Sequence, residues 1–131
     1  MFSDNEIAYL ASQRLARIAT VSSAMQPDVS PVGFQFEGGR FIVSGLKLKP
    51  TLKYKNVSSG NTKVALVIDD LASVSPWKPR GIKIHGTAEI DEVDGREIIV
   101  IRVNTHWSWG VESDALEGGN RSIRKVEHDH N

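Results

Sequence analysis

Four lysines, Lys47, Lys49, Lys53 and Lys55, fall within nine residues of a 131-residue chain in which sixteen Lys plus Arg balance sixteen Asp plus Glu. Ser44 and Gly45 precede them, and Pro50 and Thr51 lie in their midst. A strand end, a glycine, two hydroxyls and a helix start can turn backbone donors and ammonium groups toward one anion. Lysines on an ordinary solvated helix face have the same spacing. The glycine pattern of a Walker loop is absent. A second group is Ser75-Pro76-Trp77-Lys78-Pro79-Arg80-Gly81, where two prolines stiffen a loop that could present an indole and a guanidinium to a ligand at small entropic cost. The competing reading makes Trp77 a hydrophobic plug at one end of the fold. A third group places Trp107 and Trp109 two residues apart, on one strand face, where they could stack on a planar ring or cover a subunit interface.

Other chemistries are excluded or unsupported. The chain has no cysteine, so disulfides, thiolate metal clusters and a Cys nucleophile are ruled out. His85, His106, His128 and His130 lack metal-ligand spacing and no metal is expected. No Gly-x-Ser-x-Gly elbow or carboxylate pair stands out, and Asp69-Asp70 reads as the end of a buried strand capping a turn. Balanced charge argues against nucleic acid. The run MFSDNEIAYL is unlike a signal peptide and no apolar run reaches membrane-span length, so a cytoplasmic protein without membrane partners is expected.

The elements that must position these groups follow from periodicity. Ser3 and Glu6 have capping-box spacing, Phe2 can staple onto Ile7, and Ile7, Leu10 and Ala11 share the face of a first helix. Period-two segments follow at 17–21, 32–36, 41–44, 64–68, 82–90 and 98–103, which predicts six strands. Gln26-Pro27-Asp28, Glu37-Gly38-Gly39 and Asp94-Gly95 mark turns between antiparallel neighbours. A short helix over 49–57, starting near Pro50, turns Leu52, Val57 and the Tyr54 ring toward the core. Six strands and two helices in a chain with 40% hydrophobic residues predict a mainly β, six-stranded barrel, because closure removes sheet edges. The barrel domain spans 1–111. Residues 112–131 read as a polar tail without pattern, mobile or docked on a partner.

Several separated stretches resemble one family: Tyr9-Leu10-Ala11-Ser12-Gln13-Arg14-Leu15, Pro31-Val32-Gly33-Phe34, Lys53-Tyr54-Lys55-Asn56-Val57, Val67-Ile68-Asp69-Asp70-Leu71, Pro76-Trp77-Lys78-Pro79-Arg80-Gly81-Ile82 and Ser108-Trp109-Gly110. Together they resemble the split-barrel flavin and deazaflavin oxidoreductases related to pyridoxamine 5′-phosphate oxidase, and within them the actinobacterial F420-dependent subgroup. The resemblance implies a homodimer with a cofactor in each of two interfacial grooves. It places a phosphate-binding lysine at Lys53, with Ser44, Gly45, Lys47 and Thr51 nearby. Backbone at Pro31 and Val32 would line the ring system, and Trp77, Arg80 and Trp109 would approach it. Two departures bear on the cofactor: Leu52-Lys53 stands where relatives often have two basic residues, and Asn104-Thr105-His106 where they usually have Pro and Arg. The spread from Lys47 to Lys55 suits the phosphodiester and glutamate tail of F420 better than the single phosphate of FMN. The implied activity is hydride transfer to a small unsaturated substrate, with FMN use, or flavin or haem binding without catalysis, as the alternatives.

Overall fold

A computed structural model describes residues 1–112 and 123–129. The elements run α1 (Asp4–Ser12), β1 (Leu15–Val21), β2 (Pro27–Gly33), β3 (Gln35–Glu37), β4 (Arg40–Val43), α2 (Leu52–Ser58), β5 (Lys63–Ser73), β6 (Lys78–Val93), β7 (Arg96–Trp109) and β8 (Ile123–Glu127). The strands form one antiparallel sheet in the order β2-β1-β5-β6-β7-β4-β3, with β8 added beside β4 on the same edge of β7. The two ends of that path, β2 and β3, are separated in sequence by Phe34 alone. The sheet therefore curls round so that its end strands, joined through Phe34, come together without pairing, which makes a split barrel. Ile18, Phe41, Val43, Leu66, Ile68, Ile82, Ile84, Ile99 and Ile101 fill the interior.

The predicted mainly β split barrel is thus found, but with eight strands among the described residues in place of six. Segment 32–36 is broken at Phe34, and Pro27 and Asp28 belong to β2. The first turn lies earlier, where the Ser22 N–H donates to the Gln26 carbonyl and Met25 takes a positive φ of 64°. The Glu37-Gly38-Gly39 and Asp94-Gly95 turns form as expected. Gly38 and Gly39 have φ of 61° and 77°, and Asp94 and Gly95 have 52° and 78°, the left-handed pairs that a two-residue hairpin demands.

Each helix closes one end of the barrel. The capping box at Ser3 and Glu6 is present. The buried face of α1 is Glu6, Tyr9 and Leu10, while Ile7 and Ala11 are exposed, contrary to the apolar pattern. The helix is rotated because Glu6 and Tyr9 have polar partners inside. Phe2 packs on Phe36, Phe41 and His106. At the other end α2 turns Val57 and Asn56 inward, with Asn56 Nδ2 donating to Thr20 Oγ1 over 2.9 Å, while Leu52 is exposed. The tail reading gives way at 123–127 to a strand paired on this chain's own β7, with Thr105 opposite Glu127 and Trp109 opposite Ile123. Among the described residues no helix is long and apolar enough to cross a membrane.

Candidate cofactor site

The α2 end gathers the first set of candidates. Where β4 ends, Ser44 and Gly45 line a cavity of about 710 Å³ together with Gln35, Asp94, Arg96 and Glu97. Lys47 and Lys49 line an adjoining hollow of about 330 Å³ that shares Gly45, Arg96 and Glu97. Glu97, which the sequence reading missed, links this region to α2. The neighbouring Tyr54 hydroxyl and the Lys49 ammonium, its Nζ 3.2 Å away, hold its carboxyl below the usual range. The Glu97 carboxylate in turn pushes the Tyr54 phenol up. Glu97 follows an Asp-Gly turn like any surface carboxylate, so only the curl of β7 under α2 reveals it.

The lysines divide into two kinds. Lys49 is ion-paired with Glu97, whereas among the described residues Lys47, Lys53 and Lys55 have no carboxylate partner. Lys53 is half-buried on α2, one residue before Tyr54. The Thr51 hydroxyl donates to the Leu48 carbonyl and accepts from the Tyr54 N–H, so it is spent on capping, and α2 is only seven residues long.

The remaining candidates lie elsewhere. Pro31 is exposed and Val32 buried on β2. Pairing aligns Pro31, Arg17, Val67, Lys83, Trp107 and Lys125 in one row across the outer face. Four strand spacings, roughly 19 Å, separate Pro31 from Trp107. Trp107 and Trp109 share this outer face, as their spacing predicts. Lys83 Nζ sits 4.3 Å from the Trp107 ring centroid and His85 meets the ring edge-on. The Trp109 ring crosses Gly81, where a Cβ would come within 2.6 Å of it, so β6 needs glycine at that point.

Trp77 is 56% exposed, which excludes the plug. Arg80 lies in β6 rather than in a stiff loop and faces away from Trp109, toward α1. Its Nε and Nη2 bond the two oxygens of Asp70 at 2.7 and 2.9 Å, and its guanidinium lies over the Tyr9 ring at 5.2 Å. Arg80 holds the Asp70 carboxyl low. Burial and the bond to Asp70 push the Tyr9 phenol up. Asp69 and Asp70 are therefore mid-strand ion-pair partners of Arg17 and Arg80, not turn caps. One chain does not converge all ten predicted residues on one cavity: Ser44, Gly45 and Lys47 meet beside α2, with Thr51 and Lys53 at its start, while Trp109, Trp77 and Arg80 lie at the opposite end. Among the described residues no group of three His, Asp or Glu side chains is placed to hold a metal ion.

Curled antiparallel sheet, two end helices and a lysine-rich crossover beside a groove define a split-barrel protein. The pyridoxamine 5′-phosphate oxidase family model matches residues 3–109, and the chain belongs to that family. A 5a,11a-dehydrotetracycline/5a,11a-dehydrooxytetracycline reductase of Streptomyces rimosus subsp. rimosus is 34% identical over 127 residues, 89% of each chain. Among solved structures, a heme binding protein from Mycobacterium smegmatis superposes with a TM-score of 0.70 at 17% identity, over 97% of this chain and 59% of that one. An F420 reductase superposes with a TM-score of 0.57 at 19% identity, over 72% of this chain and 89% of the other.

Proposed function

We propose that this protein is an F420-dependent oxidoreductase that transfers a hydride to a planar, conjugated small molecule. The observation that carries the cofactor reading is the set of unpaired ammonium groups at Lys47, Lys53 and Lys55, spread over a loop and a helix of an otherwise neutral chain. That spread is on the order of 10–15 Å, longer than one phosphate and suited to a phosphodiester followed by carboxylates. Ser44 and the Gly45 backbone would hold the phosphate, with Lys53 and Lys47 as its counter-charges. The reductase relative supports a fused-ring enone as the substrate class.

A bound deazaflavin supplies the hydride, and water can supply the proton that completes reduction of the double bond. The residues of the chain bind and orient. Trp107, Trp109 and the exposed Ile123 opposite Trp109 give the β7–β8 part of the outer face an apolar cluster on which a second copy of the chain would pack, bringing its own aromatic residues to the groove. Sedimentation at micromolar concentration should show a dimer, and a monomer that binds cofactor fully would remove this part of the reading.

A second reading, an FMN user or a flavin or haem carrier without turnover, is favoured by Asp94 and Glu97 on the groove wall, since carboxylates there oppose a long anionic tail. Turnover separates the two. Reduced F420 mixed with a conjugated ketone and the protein should be oxidised catalytically. Oxidation no faster than without protein, or turnover with FMN alone, would decide for the second reading.

A further inference from the structure

At the α1 end lies a buried polar chain that the cofactor reading does not use. Glu6 and His106 are both fully buried. The Glu6 carboxylate accepts from the Ser3 N–H at 2.8 Å, meets His106 Nε2 at 3.0 Å and accepts from Arg124 Nη1. On its other side His106 Nδ1 lies 2.7 Å from Nε2 of His128, whose backbone N–H donates to the Asn104 carbonyl. Phe2 stacks on His106 with ring centroids 4.0 Å apart. His128 is one clip of this chain, and Arg124 is the other.

We propose that β8 is a detachable strap whose docking on β7 is linked to protons through the counter-ion it brings to Glu6. Apolar burial contributes little to its docking: Ile123, Arg124, Lys125 and Glu127 are exposed and Val126 is half-buried. Besides five residues of edge pairing, the contacts concentrate in Arg124 and His128. When β8 lifts, Arg124 returns to water and takes with it the permanent cation paired with Glu6. A buried carboxylate without its cation is costly. The groups still facing it are the Ser3 N–H, Ser108 and His106, with Glu112 close by as the acceptor of the Ser3 hydroxyl. None of these carries a fixed positive charge, and Glu112 adds a negative one. A proton taken up on the Glu6 carboxylate restores neutrality.

The open form thus binds a proton that the closed form does not, so falling pH favours opening, by up to about tenfold per pH unit for one linked proton. Opening bares the β7 edge from Thr105 to Trp109 and removes Lys125, 5.8 Å from the Trp107 ring centroid, from the outer face. The strap sits at the end opposite Ser44 and Lys53, and the inference stands whichever cofactor that groove takes.

Hydrogen exchange of the full chain tests this, because amide protection reports local opening. After correction for intrinsic rates, protection of amides 124–128 should fall by about tenfold between pH 7.5 and pH 6.5, while that of 99–103 stays constant. Glu6→Gln keeps the shape, needs no counter-ion and should flatten that slope. Arg124→Gln, at an exposed position, should lower β8 protection at pH 7.5 and leave little further response to acid. Equal β8 protection at both pH values, exchange of β8 only together with 99–103, or a full slope surviving in either variant would overturn the proposal.

Discussion

The two ends of the barrel treat charge in opposite ways. At the α1 end Glu6, Arg124, Asp70 and Arg80 are all paired, and Glu6 is inaccessible to solvent. At the α2 end Lys47, Lys53 and Lys55 have no partner among the described residues, and Lys47 and Lys55 stand in solvent. Removing one member of a buried pair strands the other, whereas removing an unpaired surface cation costs the fold almost nothing. Charges at the first end hold α1 and β8 on the barrel. Those at the second are available to a ligand.

The comparison is broken most forcefully at Glu6. Glu6→Ala should lower unfolding free energy by about 3–5 kcal/mol, read from chemical denaturation, because Arg124 and His106 lose their shared acceptor. Burial alone would raise the Glu6 carboxyl, but His106, Ser108, the Ser3 backbone and Arg124 around it outweigh that and hold it well below the carboxylate range. A depressed carboxyl stabilises fully above its unfolded value of about 4.3, and the contribution is lost as pH falls below that. Wild-type melting temperature should therefore drop below about pH 4.3, and that acid loss should be smaller in Glu6→Gln.

Lys53→Ala should do the reverse. Cofactor affinity should weaken by about 1.5–3 kcal/mol, the scale of a charge-assisted hydrogen bond, with the melting temperature unchanged. Asp70→Asn is intermediate, since its pair with Arg80 is one-third exposed. A loss of about 1 kcal/mol in stability and no change in cofactor affinity are expected by denaturation and titration. The smallest effect sharpens the lysine track itself. Lys49 is held by Glu97, so Lys49→Ala should cost F420 affinity under about 0.5 kcal/mol, clearly less than Lys53→Ala. Equal losses for the two would erase the distinction between paired and unpaired lysines.

Fold class, both helices and two of the hairpins were legible because periodicity and turn chemistry are local. Ser3 with Glu6, Gly38-Gly39 and Asp94-Gly95 each specify their geometry within four residues. The α1 face was not legible. Apolar pattern favours Ile7 and Ala11, and only the sheet, by bringing His106 and Arg124 to Glu6, makes burial of a carboxylate cheaper than burial of isoleucine. The same long-range contact hid β8, which has only Ile123 and Val126 as apolar residues and adds to an exposed edge. At the site, the lysine cluster was visible in sequence. The pairing of Lys49, the spent hydroxyl of Thr51 and the turning of Arg80 toward Asp70 depend on which strands become neighbours, and no spacing rule carries that.

We propose that the unpaired lysines at the α2 end receive a long anionic cofactor tail. Fluorescence titration of the purified chain with F420 and with FMN, each at low and high salt, tests it most directly. F420 should bind more tightly than FMN, and its advantage should shrink as the screening length falls from about 10 Å at 0.1 M to about 3 Å at 1 M salt. FMN binding more tightly at every salt concentration would contradict the account and return the lysines to the solvated surface.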